Sequence, residues 1–249
     1  MLLFDPEHST AANYRKRHLL SLARVHAESM GEELLERAVQ QEICLLNSLL
    51  TSPLNRHTKS PTLWHHRYWL YTSIVLPCAS VHVEDTLRPL HLVRLLHAQD
   101  ELEVVFKAGE RHSKNYYAWN YARRLVYLVE HCQQLNKSDL SNPGLPLVHA
   151  SAVHEWCLRH PGDISGWSFL GFLLKRPGCA ESPREAIVGQ TLDFAVKLQW
   201  QGEALWVFLR TVLPSEKHLS LSKRAEIRIK TKMFAGQAEQ KSTGSHNDS

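Results

Sequence analysis

Metal-ligating side chains are the first features of the 249-residue sequence that could carry chemistry. His154-Glu155 is similar to the start of the motif in which two histidines, four residues apart on a helix, bind zinc and the glutamate acts as general base. The next histidine is His160, six residues on, which at about 100° per residue lies roughly 240° around the helix from His154. His65 and His66 are adjacent and diverge on a helix. We therefore interpret these histidines as structural or surface groups.

The cysteines argue against a site built on sulfur. The five are odd in number and widely spaced, without a C-x-x-C pair: Cys44, Cys78, Cys132, Cys157 and Cys179. This pattern argues against both a disulfide framework and a structural zinc site. The sequence also has no nucleophile elbow, phosphate-binding loop or dinucleotide-binding glycine motif. We expect separate buried or half-buried thiols in a reducing compartment.

Composition narrows the class of protein. The chain has 43% hydrophobic and 22% charged residues and a net charge of +4, which excludes collagen-like, low-complexity and fully disordered classes. Basic and acidic residues are mixed along the sequence, so we expect no nucleic-acid partner. No apolar stretch approaches the roughly 20 residues of a membrane-spanning helix, and the start, MLLFDPEHST, is too short and acidic for a signal peptide. We expect a cytoplasmic protein without a transmembrane segment.

The elements that must position any site are helices. Between Ser29 and Thr51 apolar residues recur at helical steps of four, four, three and four, at Leu35, Val39, Ile43, Leu46 and Leu50. The polar surface of this helix is assigned to Glu32, Glu33, Glu36 and Glu42. No stretch alternates in the way that predicts a strand, so the predicted fold class is all-α.

Capping residues and prolines predict the boundaries of the other helices. Ser60 is predicted to cap a helix that begins at Pro61 and ends near Pro77. A further helix is predicted from Pro89 to Gly109. The capping box Ser182-Pro183-Arg184-Glu185 predicts a helix start, and Pro214 ends the last apolar run. Turn-forming residues predict a loop over 136–147.

One segment recurs along the chain. SPTLWHHRYWL at 60–70 is echoed around 119, 167 and 206, with a degenerate copy near the start. The repeat anchors are Ala12, Trp64, Trp119, Trp167 and Trp206. Their spacings of 52, 55, 48 and 39 residues each hold one long helix, a loop and the anchor-bearing helix. This predicts an αα-hairpin superhelix, or solenoid, of about five repeats over residues 1–213, with the tryptophans packed between hairpins. The basic tail, 214–249, is expected to be disordered and solvated, with contact to an acidic partner or a membrane surface as the alternative.

The repeats resemble a known family. KNYYAWNYARR, from Lys114 to Arg124, resembles the K-N-Y-x-A-W-[NQ]-[YH]-x-R hallmark of the repeat in α subunits of protein prenyltransferases. SPTLWHHRYW, SGWSFLGFLL and ALWVFLR are similar to other copies, and the resemblance spans about Ser9 to Leu213. The uneven spacing most resembles a divergent branch associated with a third type of geranylgeranyltransferase.

The resemblance implies a division of labour between two subunits. The α subunit would wrap around a β subunit of the type also used for Rab proteins, and the β subunit would hold the zinc and most of the isoprenoid pocket. The pair would transfer a geranylgeranyl or farnesyl group from its diphosphate to a C-terminal cysteine of a protein substrate. This chain is expected to bind no cofactor itself. Since catalytic α subunits usually carry helices ahead of the first repeat, a short isoform, a fragment and a truncated gene model remain alternatives for the chain.

The resemblance also implies site residues. Lys59 and Tyr121, with Lys114 and His66 in reserve, correspond to positions that approach the diphosphate in catalytic α subunits. A lysine there would stabilise the negative charge that develops on the leaving group. The alternatives stay open: the lysines could be solvated helix starts, Tyr121 could pack between hairpins, and Arg67 and Arg123 could pair within the chain or with a partner. A non-enzymatic helical-repeat scaffold that binds partner proteins is the rival function.

Overall fold

Helices make up all the regular structure that the computed structural model describes. The described residues are 1–28, 32–75, 98–135, 145–176, 181–212 and 225. Within these ranges there is no strand, and the predicted all-α fold of helical repeats is confirmed. The chain divides into two compact units, Met1–Asp139 and Leu140–Ser249. The predicted tail over 214–249 lies outside the described residues, apart from residue 225, so the boundary at 213 stays a prediction.

Unit 1 holds three successive repeats. Its described helices are α1 (Ser9–Glu28), α2 (Glu32–Leu50), the short α3 (Asn55–Thr58), α4 (Pro61–Leu70), α5 (Ala98–Arg111) and α6 (Tyr116–Leu135). A π-helical turn over Tyr71–Val75 continues α4. The pairs α2/α4 and α5/α6 are hairpins, and α4 packs against both α1 and α6. The anchor-bearing helices α1, α4 and α6 therefore lie side by side.

Unit 2 repeats the arrangement with two further hairpins. Its described helices are α7 (Leu145–Arg159), α8 (Ile164–Leu174), α9 (Glu181–Lys197) and α10 (Glu203–Val212). Helix α7 packs on α8, α9 packs on α10, and the anchor-bearing helices α8 and α10 pack on each other. The interior is mostly apolar: Leu170 and Leu209 are fully buried, and the rings of Trp167 and Phe208 lie 4.9 Å apart.

The five anchors occupy the same position in their helices. Each is the fourth residue of its helix and is buried, with at most 7% of its surface exposed: Ala12, Trp64, Trp119, Trp167 and Trp206. Three of the indoles also donate a hydrogen bond to the carbonyl six residues earlier. Trp64 bonds to Thr58 at 2.8 Å, Trp167 to Pro161 at 3.0 Å, and Trp206 to Trp200 at 2.8 Å. The indole thus fastens the chain that enters the helix to its first turn.

A second recurring feature, in the first four of the five repeats, is a side-chain N-cap four residues before the anchor. Ser60 accepts a hydrogen bond from the Leu63 amide at 3.1 Å, which confirms the predicted cap of α4. His8, Asn115 and Asp163 accept from the corresponding amide, one residue before the anchor, at 3.1, 3.3 and 3.0 Å. Each cap satisfies an amide that has no partner within the helix.

Several predicted boundaries are wrong by a few residues. Gly109 lies inside α5, which ends at Arg111. Ser182 lies inside α9, which begins at Glu181, and Pro183 is tolerated there because amides in a first turn need no intrahelical partner. The last three residues of the loop predicted over 136–147 belong to α7, which begins at Leu145. Pro77, Pro89 and Pro214 lie outside the described residues.

Candidate functional site

A buried polar cluster joins the hairpins of unit 1 at Glu101 of α5. Arg67 of α4 donates two hydrogen bonds to this carboxylate, from Nε at 2.7 Å and from Nη2 at 2.6 Å. The hydroxyls of Tyr71 and Tyr121 donate to the same carboxylate. The third guanidinium nitrogen of Arg67, Nη1, donates a hydrogen bond to Asn47 Oδ1 of α2 at 2.7 Å. The carboxylate therefore connects α4, α5 and α6, and Arg67 extends the cluster to α2.

The same arrangement occurs one repeat earlier, at Glu42 of α2. Arg15 of α1 donates to its carboxylate from Nε at 2.9 Å and from Nη2 at 2.6 Å. His66 Nε2 of α4 lies 3.3 Å from Glu42 Oε1. Arg15 and Arg67 stand three residues after their anchors, and His66 and Tyr121 stand two after theirs. In both cases a glutamate on the first helix of a hairpin meets an arginine of the preceding repeat and a ring of its own repeat.

Burial sets the electrostatics of the Glu101 cluster. Arg67, Glu101, Tyr71 and Tyr121 are each at most 2% exposed. Burial by itself would raise the pKa of Glu101, but the charge of Arg67 and its hydrogen bonds lower it. Burial and the negative charge of Glu101 raise the pKa of both tyrosines. The pair is therefore ionised, and the two phenols are neutral donors.

His66 lacks the hydrogen bond that Tyr121 makes, and burial together with positive neighbours keeps its ring neutral. Burial, followed by the charges of Lys16 and Arg15 and by His65, lowers the pKa of His66 to about 3. Its approach to Glu42 lacks hydrogen-bond geometry, since neither ring nitrogen has a hydrogen-bond partner among the described residues. Glu42 is already engaged by Arg15, so it does not hold a proton on the imidazole. His66 is therefore a neutral, fully buried ring.

The two candidate lysines flank a junction between successive repeats. The Thr58 carbonyl accepts hydrogen bonds from the indole of Trp64 at 2.8 Å and from Asn115 Nδ2 at 2.9 Å. Lys59 follows Thr58 and is half-buried, and Lys114 precedes Asn115 and is exposed. Lys114 adopts the left-handed φ of 57° that brings the chain into α6. The junction therefore places both lysines at the same end of α4 and α6.

Comparison with known proteins gives partial matches. The family model described as the ECM9 middle domain matches residues 91–187. Protein prenyltransferase alpha subunit repeat-containing protein 1-B of Xenopus laevis is 27% identical over 214 residues, which is 83% of this chain and 44% of that protein. The human protein prenyltransferase alpha subunit repeat-containing protein 1 is 26% identical over 70% of this chain and 38% of its own length. The chain is a homologue of these proteins.

A yeast relative extends the same group. Protein ECM9 of Saccharomyces cerevisiae is 24% identical over 70% of this chain and 37% of its own length. The resemblance to prenyltransferase alpha subunit repeats, inferred from the repeated tryptophan segments, is confirmed by these homologues. The chain spans less than half the length of each of these relatives.

The structure separates the four predicted site residues into two pairs. Tyr121 and His66 lie inside the hairpin packing, against Glu101 and Glu42. Lys59 and Lys114 lie at the helix starts, at the junction. Of the alternatives for Arg67, pairing with an acidic residue of the adjacent hairpin is the one observed. The roles of the four residues toward a diphosphate remain predictions.

Two glutamates at the centre of these clusters were missed by the sequence analysis. Glu42 was assigned to the polar surface but is 3% exposed. It stands three residues after Val39 and four before Leu46, so it lies on the apolar face. Glu101 similarly precedes Val105 and Ala108 by four and seven residues. A carboxylate on an apolar stripe was the available signal, and its partner arginine lies far away in sequence.

Three further observations on the described residues concern metal binding, membrane-spanning helices and free thiols. No group of three or more His, Cys, Asp or Glu side chains among them could hold a metal ion. None of the helices in the described ranges is both long and apolar enough to cross a membrane. Both Cys44 and Cys157 are free thiols; Cys157 is buried as predicted, whereas Cys44 is exposed, which contradicts the prediction for that residue. Nothing is described of the side chains of Cys78, Cys132 and Cys179.

Proposed function

We propose that this chain acts as the α subunit of a heterodimeric protein prenyltransferase. It would support transfer of a geranylgeranyl or farnesyl group to a C-terminal cysteine of a protein substrate. The observation that carries the proposal is the similarity, over 70–83% of the chain, to relatives named for prenyltransferase alpha subunit repeats. The zinc and the isoprenoid pocket would belong to the β subunit, for which a Rab-type geranylgeranyltransferase β subunit is the first candidate.

The chemistry proposed for this chain is electrostatic. In the transfer the allylic carbon–oxygen bond breaks, its electron pair passes to the diphosphate, and a carbon–sulfur bond forms to the substrate thiolate. An ammonium group near the diphosphate stabilises the transition state more than the ground state, because negative charge grows on the leaving oxygen. Lys59 and Lys114 are suited to this role because they lie at one end of neighbouring helices.

Co-expression tests the proposal directly. The full chain would be produced with a Rab-type β subunit, purified through a tag on one partner, and supplied with radiolabelled geranylgeranyl diphosphate and a protein ending in cysteine. We expect a heterodimer that labels the substrate, while the chain alone labels nothing. Absence of both a complex and labelling would reject the assignment.

A lysine variant then separates support of catalysis from assembly. Lys59→Ala should lower turnover by about ten-fold or more while the heterodimer still forms. Lys107→Ala is the matched control, since this lysine lies on α5 and pairs with Glu110 at the surface. Unchanged turnover in Lys59→Ala would remove Lys59 from the proposed machinery.

A partner-binding scaffold is the second candidate function. It is favoured by the position of Tyr121, whose hydroxyl is engaged by Glu101 in the hairpin interior. In a scaffold such a tyrosine has only a packing role. A stable complex with a β subunit that shows the same transfer activity with and without this chain's lysines would support this alternative.

A further inference from the structure

Helix α4 presents a patch of rings between the two neighbouring helices of unit 1. His65, Tyr68 and Trp69 stand at positions i, i+3 and i+4, so they share one face of α4. His65 is exposed, and the other two rings are half-exposed. Each of the two larger rings carries a cation from a different helix. The guanidinium of Arg124, on α6, lies 3.6 Å from the centre of the Tyr68 ring, and the ammonium of Lys16, on α1, lies 5.3 Å from that of Trp69.

Lys16 and Arg124 both affect the pKa of His65. Burial, then the charges of Lys16 and Arg124, lower the pKa of His65. Two positive groups from different helices are therefore close enough to disfavour a third charge on His65. With its pKa lowered, the His65 ring is neutral at pH 7 and offers one N–H donor.

The charge on this face is not neutralised within the described structure. Arg15, the sequence neighbour of Lys16, forms an ion pair with Glu42. Arg67, two residues after His65, forms an ion pair with Glu101. By contrast, neither Lys16 nor Arg124 forms an ion pair or hydrogen bond with a described carboxylate. Their ring contacts orient the cations but leave the N–H donors available.

The helices around this patch also carry an excess of basic residues. The anchor-bearing helices of unit 1 hold seven basic residues, at 15, 16, 17, 24, 67, 123 and 124, against two acidic ones, at 28 and 130. Their hairpin partners α2 and α5 hold eight acidic residues, at 32, 33, 36, 42, 100, 101, 103 and 110, against three basic ones, at 37, 107 and 111. The charges that appear mixed along the sequence are thus sorted between two sets of helices.

We propose that Lys16, His65 and Arg124 form a binding site for a phosphate group. The fork of an arginine and the point charge of a lysine are the two donor types that suit phosphate oxygens, and a neutral imidazole adds a third donor. The site stands on a different part of the helices from Lys59 and Lys114, and it does not depend on the proposed transferase function. The phosphate would belong either to a free di- or polyphosphate or to a phosphorylated lipid headgroup.

The histidine provides a direct readout. The full chain would be titrated with inorganic pyrophosphate while imidazole resonances are followed by NMR, with the His65 signal assigned from His65→Gln and ionic strength held constant with sodium chloride. We expect saturable shifts and a rise in the pKa of His65, because a bound anion favours the charged ring.

Charge-removal variants decide whether the response is specific. Lys16→Ala with Arg124→Ala should weaken binding by roughly ten-fold or more, because charge-assisted hydrogen bonds are lost. Lys107→Ala with Arg111→Ala removes the same two charge types from the exposed surface of α5 and should leave binding unchanged. Circular dichroism and thermal unfolding would verify that both double variants are folded.

The lipid source is tested with vesicles. Phosphatidylcholine vesicles with and without phosphatidylinositol 4-phosphate would be sedimented with each protein. Binding to pyrophosphate but not to vesicles assigns the site to a free phosphate, and phosphoinositide-dependent sedimentation lost only in the Lys16/Arg124 variant assigns it to a headgroup. No response to either probe, or an equal response in both double variants, would overturn the proposal.

Discussion

The guanidinium of Arg67 meets the carboxylate of Glu101 through two hydrogen bonds, although the two residues come from different hairpins and lie 34 residues apart in sequence. Both are almost completely withdrawn from water. Two tyrosines and an asparagine complete the coordination of the pair. Such a cluster contributes to stability only as a whole, because an ion left alone in an apolar interior is costly.

Removing one member of this pair should be more harmful than removing both. Glu101→Ala leaves Arg67 charged and buried, so the free energy of unfolding should fall by about 3–5 kcal/mol. Arg67→Met combined with Glu101→Leu should recover most of that loss. Glu103→Ala, on the exposed side of α5, is the control and should change stability by less than about 0.5 kcal/mol. Urea unfolding measures all three, and a single variant no worse than the control would show that the pair is dispensable.

Unit 1 should be sensitive to mild acid through His66. The pKa of this histidine is about 3 in the folded chain and 6.5 without structure, so only the unfolded chain takes up its proton between those values. The contribution of His66 to the free energy of unfolding is therefore fully present above pH 6.5. It declines as the pH falls, by about 2 kcal/mol between pH 7 and pH 5. His66→Gln should show a smaller decline in urea unfolding over that window. Equal declines in both proteins would mean that His66 is not the titrating group.

Two helical glycines should respond oppositely to the same substitution. A Cβ on Gly166 of α8 would lie 2.7 Å from the Trp156 ring and 3.2 Å from the Cys157 sulfur, whereas one on Gly189 of α9 would have no described atom within 4 Å. Gly166→Ala should therefore cost about 1–3 kcal/mol through overpacking. Gly189→Ala should stabilise by about 0.5–1 kcal/mol, because alanine favours the helix. Thermal unfolding that ranks the two variants in the reverse order would contradict the packing described for α7 and α8.

A pair of tyrosines separates catalysis from packing at Glu101. Tyr71→Phe and Tyr121→Phe each remove one phenol donor from the same carboxylate, so each should cost about 1–2 kcal/mol of stability. If Tyr121 assists departure of the diphosphate in the proposed heterodimer, its variant alone should lower kcat by about ten-fold. If the role of Tyr121 is packing, both variants should turn over alike once the heterodimer is assembled. Steady-state kinetics of the two heterodimers give the answer.

An indole-to-phenyl substitution tests the repeated bond at the helix starts. Trp64→Phe keeps an aromatic ring in the interior but removes the donor to the Thr58 carbonyl, so stability should fall by about 1–3 kcal/mol. Trp64→Ala removes the ring as well and should cost about 3–5 kcal/mol. Equal losses in urea unfolding would mean that the hydrogen bond, and not the filled volume, dominates.

Local sequence signals predicted much of the fold. The cap at Ser60 depends on residues within one helical turn, and the anchors were found because a short segment around each of them recurs along the sequence. The structure places all five anchors at the fourth helical position. The boundaries predicted at Gly109 and Ser182 were wrong by a few residues, because a capping pattern alone does not fix the exact residue at which a helix begins or ends. The division into two units was not anticipated, since it depends on which helices pack together rather than on any local pattern.

The polar clusters were less predictable for a physical reason. Glu42 and Glu101 appear in the sequence as ordinary helical acids, and only the neighbouring hairpin supplies the arginine that allows them to be buried. The patch around His65 likewise requires three helices to lie side by side before Lys16 and Arg124 approach one ring-covered face. Periodicity specifies which face of a helix is apolar, but not which distant helix it will meet.

The shared carboxylates limit how freely the repeats of unit 1 could be rearranged. An α5/α6 hairpin transplanted alone would carry Glu101 without the arginine that arrives from α4, and an α2/α4 hairpin transplanted alone would carry Glu42 without the arginine that arrives from α1. A designer who wished to lengthen or permute this array would have to exchange arginine and glutamate together, across the boundary between neighbours. In unit 1 the group of residues that must be kept together is therefore the contact between two successive hairpins, and not a single hairpin.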